Sequence, residues 1–275
     1  MGDHEEKNEM SNNIRQKISE LRRIDCWVED DRISEILACG EEAVPYFEDM
    51  LSEIIQESRA IDLRKKHPNT EWFTAIHCLC FLAHLKSEKS MDLVLSFLSQ
   101  KQDTLDFWLH DILTEDLWEI FYLLGQNKHE KLGTFILDQK GNLFSRLAAC
   151  TALVQIALHH ESAKNQIVQI FREVLHLAGE DADFIGLVVG ELLDLCDDRL
   201  LEDMLAALQN NHVIPAIMTP SDVILCMQKK RVRKLIPLTI FERYYYFRQL
   251  AYFAKTTPGK SVKEANLREL QKLLK

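Results

Sequence analysis

The chain has 275 residues, of which 47% are hydrophobic and 28% are charged, and it contains only 9 glycines and 6 prolines. Sheet proteins need many tight turns, so this scarcity of turn residues favours a fold of long helices. No apolar run reaches the roughly 18 residues that a membrane span requires, and the polar first 13 residues contain no secretory signal.

Apolar residues recur at spacings of three and four along almost the whole chain, which predicts a series of amphipathic helices. Residues 1–13 lack this pattern and are expected to be disordered. The clearest break in the body is at residues 66–68, because Pro68 disfavours a helical conformation at His67. The predicted helices span residues 14–24, 31–38, 42–57, 71–86, 88–99, 104–113, 115–125, 128–138, 143–159, 162–178, 183–195, 198–210, 220–230, 239–255 and 261–274.

A weak internal repeat relates two of these helices. With a shift of 74 residues, AIHCLCFLA at 75–83 aligns with ACTALVQIA at 149–157 and keeps two alanines and one leucine in place. This shift is twice 37 residues, close to the ~40-residue hairpin unit of HEAT-type repeats. We therefore predict an all-α protein, an irregular HEAT-like α-solenoid of stacked helical hairpins with a basic helical extension at its C-terminus.

Charge is distributed very unevenly along the chain. Residues 229–275 contain 13 Lys/Arg and 3 Asp/Glu, a net charge of +10, whereas the other residues contain 20 Lys/Arg and 40 Asp/Glu, a net charge of −20. The predicted parts are a disordered tail over 1–13, an acidic helical-repeat domain over 14–228 and a basic, aromatic-rich helical extension over 229–275. The seven cysteines are scattered and odd in number, which indicates reduced thiols in a cytoplasmic protein.

The helix predicted over 71–86 raises the question of a metal site, because His77, Cys80 and His84 lie on one flank of it. His77 and His84 would be about 10.5 Å apart along the helix axis, so one ion cannot easily bind both. No CxxC pair supplies further ligands, and burial in a helical core is the favoured interpretation.

Other enzymatic motifs are weak or missing. The pair His110-Asp111 resembles the doublet of metal-dependent phosphohydrolases, without convincing further ligands around it. The sequence contains no nucleophile elbow, phosphate-binding glycine loop or dinucleotide fingerprint, and no cofactor is predicted. The alternative of a metal-dependent enzyme would use some of His77, His84, His110, Asp111, His159 and His160.

The densest charge cluster is KKRVRK at 229–234, and RYYYFRQLAYFAK follows at 243–255. In one interpretation, the basic residues among tyrosines bind RNA or DNA by phosphate contacts and base stacking. The cluster could also contact an anionic membrane, or direct nuclear import after delivery to a host cell. In a fourth interpretation the tyrosines pack as the last helices of the solenoid. The candidate binding residues are Lys229, Lys230, Arg231, Arg233, Lys234, Arg243, Tyr244, Tyr245 and Arg248.

Four phrases carry a family resemblance: AIHCLCFLA at 75–83, HDILTEDLWEIF at 110–121, LFSRLAACTALVQIAL at 143–158 and DLCDDRLLEDMLAALQNNHVIPAIM at 194–218. Together, over residues 70–225, they resemble the bacterial family catalogued as domain of unknown function 1186. The resemblance implies a HEAT-like helical fold and no established activity. The family-matching residues, expected to be structural, are Asp111, Asp116, Arg146, Asp194 and Pro215.

The chain departs from this family at its C-terminal end. Members often continue into a short cysteine-rich zinc motif, whereas this chain has no cysteine after Cys226 and carries the basic segment there. A repeat architecture without a reactive constellation predicts a non-enzymatic scaffold or adaptor that binds another protein through a helical surface. Binding of nucleic acid or an anionic surface through residues 229–275 is the second interpretation.

Overall fold

A computed structural model describes residues 12–60 and 73–256. Within these ranges every regular element is a helix and none is a strand, which confirms the predicted all-α class. No helix in the same ranges is both long enough and apolar enough to cross a bilayer. The predicted helix over 261–274, the predicted break at 66–68 and nearly all of the predicted disordered tail lie outside the described residues.

The helices are numbered in chain order, and α1 comprises residues 12–20. Single turns of 3₁₀-helix occupy Leu21–Arg23, Gly40–Ala43, Glu88–Ser90 and Asp198–Leu200. The remaining α-helices are α2 (Asp30–Ala38), α3 (Val44–Ala60), α4 (Phe73–His84), α5 (Met91–Leu98), α6 (Gln102–Leu109), α7 (Ile112–Glu115), α8 (Leu117–Gly125), α9 (His129–Leu137), α10 (Leu143–His159), α11 (Glu161–Leu175), α12 (Ala182–Leu195), α13 (Leu201–Asn210), α14 (Pro220–Lys229) and α15 (Ile240–Thr256).

The middle of the chain packs as two layers of helices. Helices α8, α10 and α12 lie side by side in one layer, and α9, α11 and α13 lie side by side in the other. Consecutive helices cross from one layer to the other because the links between them are short, as in α10 and α11. Towards the N-terminus α3 packs on α4, and α4 contacts α6 and α8.

Helices α4 and α10 are buried on almost all sides. Every side chain of α4 from Phe73 to Ala83 is buried, and Phe81 stacks on Phe47 with 4.9 Å between ring centroids. A helix that is apolar all round is buried all round, and α3, α6, α8 and α15 surround α4. The two segments of the sequence repeat, 75–83 and 149–157, therefore lie in the two most buried helices.

After α14 the chain turns back along the molecule. Residues 230–239, which we call the strap, have no regular secondary structure. The strap contacts α12, then α10, then α4, and α15 packs on α2 and α4. A capping box ends the strap, because the Glu242 carboxylate accepts the N–H of Thr239 at 2.8 Å and the Thr239 hydroxyl accepts the N–H of Glu242 at 3.3 Å. Within the described residues, the strap and α15 therefore pack on the acidic body.

Candidate functional site

His77, the first candidate metal ligand, lies in the core with both ring nitrogens engaged. Nε2 lies 3.0 Å from the carbonyl oxygen of Ile24, and Nδ1 lies 2.5 Å from the hydroxyl of Tyr244. A carbonyl only accepts hydrogen bonds, so Nε2 carries the proton and Nδ1 accepts that of Tyr244. Burial lowers the pKa of His77 to about 4, and the ring is therefore neutral at pH 7.

The other candidate ligands on α4 and α6 are dispersed. His84 lies between two carbonyl oxygens, 2.8 Å from that of Cys80 and 3.2 Å from that of Leu238 in the strap. Burial raises the pKa of Cys80 to about 12, so its thiol stays protonated. His110 and Asp111 lie at the exposed link between α6 and α7. In the ranges that the structure describes, no group of three or more His, Cys, Asp or Glu side chains is placed to hold a metal ion.

His159 and His160, the last two candidate ligands, lie where α10 ends. Their ring centroids are 5.8 and 6.3 Å from that of Tyr122. His159 also contacts the strap, with Nε2 2.8 Å from the carbonyl oxygen of Leu235. The histidines of the enzyme hypothesis thus lie in separate places: in the core, beside the strap and at the surface.

A buried charge cluster joins α15 to the start of α8. The guanidinium of Arg243 lies 2.7 Å from the carboxylate of Asp116 and 2.6 Å from that of Glu119. Burial raises the pKa of Asp116 and of Glu119, and the positive charge of Arg243 opposes the rise. Arg243 and Tyr244, two of the candidate binding residues, are both buried, so any ligand would have to displace core contacts to reach them.

The strap is held to the body by its main chain. The buried amide of Gln155 donates to the carbonyl of Arg233 at 3.2 Å and accepts the N–H of Leu235 at 2.7 Å. The N–H of Arg233 donates to the carbonyl of Asp194 at 3.2 Å, and His159 contacts the Leu235 carbonyl as described above. Because these bonds use main-chain groups, they fix the path of the strap without engaging its side chains.

The basic cluster at 229–234 lies at the surface, where its members differ in their contacts. Lys230 pairs with Asp198, and the guanidinium of Arg233 lies 3.6 Å from the carboxylate of Asp194. The remaining basic side chains of the cluster are exposed and form no ion pair with a residue that the structure describes: Lys229, Arg231 and Lys234.

A groove of about 620 Å³ lies where α15 runs beside the start of α2. Three aromatic side chains line it and are exposed by 40, 52 and 59%, respectively: Trp27, Tyr245 and Tyr252. Arg248 also lines the groove, donates to the carbonyl of Val28 at 2.6 Å and pairs with Asp30 at 2.9 Å. Two further carboxylates, those of Glu29 and Asp31, belong to the same lining. We call this feature the aromatic groove.

Arg146, a family-matching residue, is buried and held from three directions. Its Nε donates to the carbonyl of Ile136 in α9 at 2.9 Å, and its guanidinium makes two bonds of 3.1 and 2.6 Å to the carboxylate of Glu180. The guanidinium carbon also lies 3.8 Å from the ring centroid of Phe184. These contacts tie α10 to α9 and to the start of α12.

The other family-matching residues take part in contacts other than the Arg146–Glu180 pair. Asp116 and Asp194 form the contacts to α15 and to the strap already described, and Asp111 is exposed. Pro215 lines an apolar groove of about 510 Å³ between α13 and α14. The structure therefore distributes these residues over several helix junctions and brings no two of them into one site.

Sequence reasoning missed several residues that form the contacts described above. Glu180 and Glu119 pair with arginines distant in sequence, and Gln155 lies in an apolar stretch of α10, so no local pattern indicated them. The one local sequence feature that indicated the groove is the phrase WVEDD at 27–31, in which a tryptophan and a valine precede three acids.

Residues 13–247 match the family described as protein of unknown function (DUF1186). Because the match covers most of the chain, the protein belongs to this family. The match is longer at both ends than the phrases that suggested it, and it includes the strap and α15 as far as Phe247. No curated protein and no solved structure gives a significant match to the chain.

Proposed function

We propose that this family member is a non-enzymatic, cytoplasmic scaffold that binds another protein, and that its helices form an irregular HEAT-like α-solenoid. The two layers of α8 to α13 support the solenoid, because stacked hairpins bury apolar faces that one hairpin cannot bury alone. The seven cysteines, all within the described residues, form no disulfide bond, and reduced thiols are typical of the cytoplasm.

The observation that carries the proposal is that the strap exposes two apolar side chains while its main chain is bonded to the body. Ile236 is 80% exposed and Val232 is 50% exposed, although Gln155 fixes the strap between them. On an extended chain, side chains four residues apart share one face, so Lys234 lies on the same face. Apolar side chains held in place at the surface are typical of protein interfaces. A partner with an apolar surface and a nearby carboxylate would fit this face.

The experiment is a crosslinked pull-down from cell lysate that compares two double variants. The variant Val232→Asp/Ile236→Asp changes the strap, and Ile214→Asp/Leu225→Asp changes another exposed apolar pair elsewhere on the chain. We expect a partner to be captured by the wild type and by the second variant and to be lost with the first, while all three give the same circular dichroism. A partner captured equally by both variants would place binding elsewhere and contradict the proposal.

Point variants suit this experiment better than truncation at residue 228. Truncation would remove α15, whose Tyr244 and Phe247 cover Phe73 and His77 in the core. The non-enzymatic part of the proposal has its own measurement, elemental analysis of the purified chain. Stoichiometric iron, manganese or zinc would contradict it and favour the metal-dependent enzyme.

A second candidate function is binding of nucleic acid or another polyanion through the basic cluster at 229–234. Its support is the exposure of Lys229, Arg231 and Lys234 on one short segment. The acidic body opposes such binding at long range, but screening limits this repulsion to about 8 Å at physiological salt. Filter binding at increasing salt tests it: retention that falls with salt would support a polyanion, and no retention at low salt would remove this candidate.

A further inference from the structure

We infer that the aromatic groove binds an arginine or lysine side chain presented by a basic segment of the partner protein. This inference rests on the proposed protein-binding function and adds a second contact site, on α15 beyond the strap. It is carried by the aromatic side chains, the charge and the open shape of the groove, which are independent of the strap.

Three exposed aromatic side chains converge on this groove. In the described part of the chain four aromatic side chains are exposed, and Trp27, Tyr245 and Tyr252 among them line this one groove. The fourth, Phe144, belongs to a different groove. Aromatic faces attract ammonium and guanidinium groups, and Trp and Tyr are enriched among the residues that dominate interface energies.

The charge of the groove is complementary to a basic ligand. Its lining contains three carboxylates against one guanidinium, that of Arg248. Arg248 is already bonded to Asp30 and to the main chain, which leaves the carboxylates of Glu29 and Asp31 for a ligand. Acids at the start of α2 also stabilise the helix through its dipole, but that effect does not account for the aromatic side chains facing them.

The shape of the groove favours a protein over a small molecule. Pockets for small ligands enclose most of the ligand surface, whereas here the aromatic side chains that form the walls are themselves exposed. A volume of about 620 Å³ accepts one long basic side chain together with parts of its neighbours in a peptide.

The experiment measures binding of a fluorescein-labelled hexa-arginine peptide to the full chain by fluorescence anisotropy at physiological salt. We expect Trp27→Ala and Tyr252→Ala to weaken binding about tenfold, the loss of one cation–π contact. The control Phe144→Ala removes an exposed aromatic side chain outside the groove and should bind like the wild type. A hexa-citrulline peptide, which is neutral and nearly isosteric, should bind at least about tenfold more weakly than hexa-arginine.

A second pair of variants distinguishes binding in the groove from general electrostatic attraction of the peptide to the acidic body. Asp31→Asn and Asp183→Asn each remove one charge from the first turn of a helix, and only Asp31 lies in the groove. Equal weakening by the two variants, or no binding of the peptide to the wild type, would overturn the inference. Capture of a partner through the strap would be unaffected by either result, so the two proposals can fail separately.

The remaining possible occupant is the chain's own C-terminal segment, residues 257–275, which is also basic. Zero-length carboxyl–amine crosslinking of the free full chain distinguishes it from a partner. We expect no crosslink between Asp31 and a lysine of residues 257–275. Such a crosslink would make the groove an internal contact and overturn its assignment to a partner.

Discussion

His77 and Tyr244 are 167 residues apart in the sequence and share a 2.5 Å hydrogen bond in the core. Their rings stack with 5.6 Å between centroids, and both side chains are fully buried. A side chain of α15 thus completes the core around α4. The family match, which continues past the basic cluster to Phe247, includes both partners of this contact.

We expect Tyr244→Phe to lower the free energy of unfolding by about 1–3 kcal/mol, because it leaves Nδ1 of His77 buried without a partner. Urea denaturation monitored by circular dichroism measures the change. The control is Tyr245→Phe, which removes the same hydroxyl from an exposed neighbour and should leave stability unchanged. Equal stability of the two variants would show that the hydrogen bond to His77 contributes nothing.

His77 also predicts a pH dependence of stability. Its pKa is about 4 in the folded chain and 6.5 in the unfolded chain. Between these values the unfolded state binds a proton that the folded state does not, so the free energy of unfolding falls as the pH falls, by up to about 3 kcal/mol. In His77→Gln this part of the loss should disappear, measured by urea denaturation between pH 7.5 and 4.5. The control Tyr245→Phe removes only a hydroxyl from an exposed side chain and should keep the wild-type pH profile.

Hydrophobic periodicity predicted the bounds of helix α10 correctly. The sequence predicted a helix over 143–159, and α10 spans Leu143–His159, beginning at the Asn142 cap. The predicted helix over 104–113 is wrong, since α6 ends at Leu109 and α7 begins at Ile112. His110 separates them with φ of 48°, a conformation that a residue other than glycine adopts under tertiary constraint and that no local pattern predicts.

The surfaces were less predictable because they depend on residues distant in sequence. The tyrosines at 244 and 245 illustrate this: helical periodicity indicates that they face different directions, but only the fold shows that the first meets His77 and the second the aromatic groove. The high positive charge after residue 228 suggested a separate extension. It could not reveal that Arg243 is buried against Asp116 and Glu119.

We expect Arg146→Met to lower the free energy of unfolding by about 3–5 kcal/mol, because it leaves the Glu180 carboxylate buried without its cation. The matched control is Arg172→Met, which breaks a partly exposed pair with Asp203 and should cost less than about 1 kcal/mol. Thermal or urea unfolding gives both values. If Arg146→Met kept wild-type stability and lost the partner in the pull-down, Arg146 would be a binding residue and the structural interpretation would be wrong.

Gln155→Ala should release the strap, because it removes one hydrogen bond to the carbonyl of Arg233 and one from the N–H of Leu235. Each such bond contributes about 1 kcal/mol, so the open population of the strap should rise on the order of tenfold or more. Trypsin, which cleaves after lysine and arginine, reports this opening as faster cleavage within residues 229–234. Gln166→Ala, an exposed substitution on α11, is the control and should be cleaved like the wild type. Equal cleavage of the two variants would mean that Gln155 does not hold the strap. The display of Val232 and Ile236 as a fixed surface would then lose its physical basis.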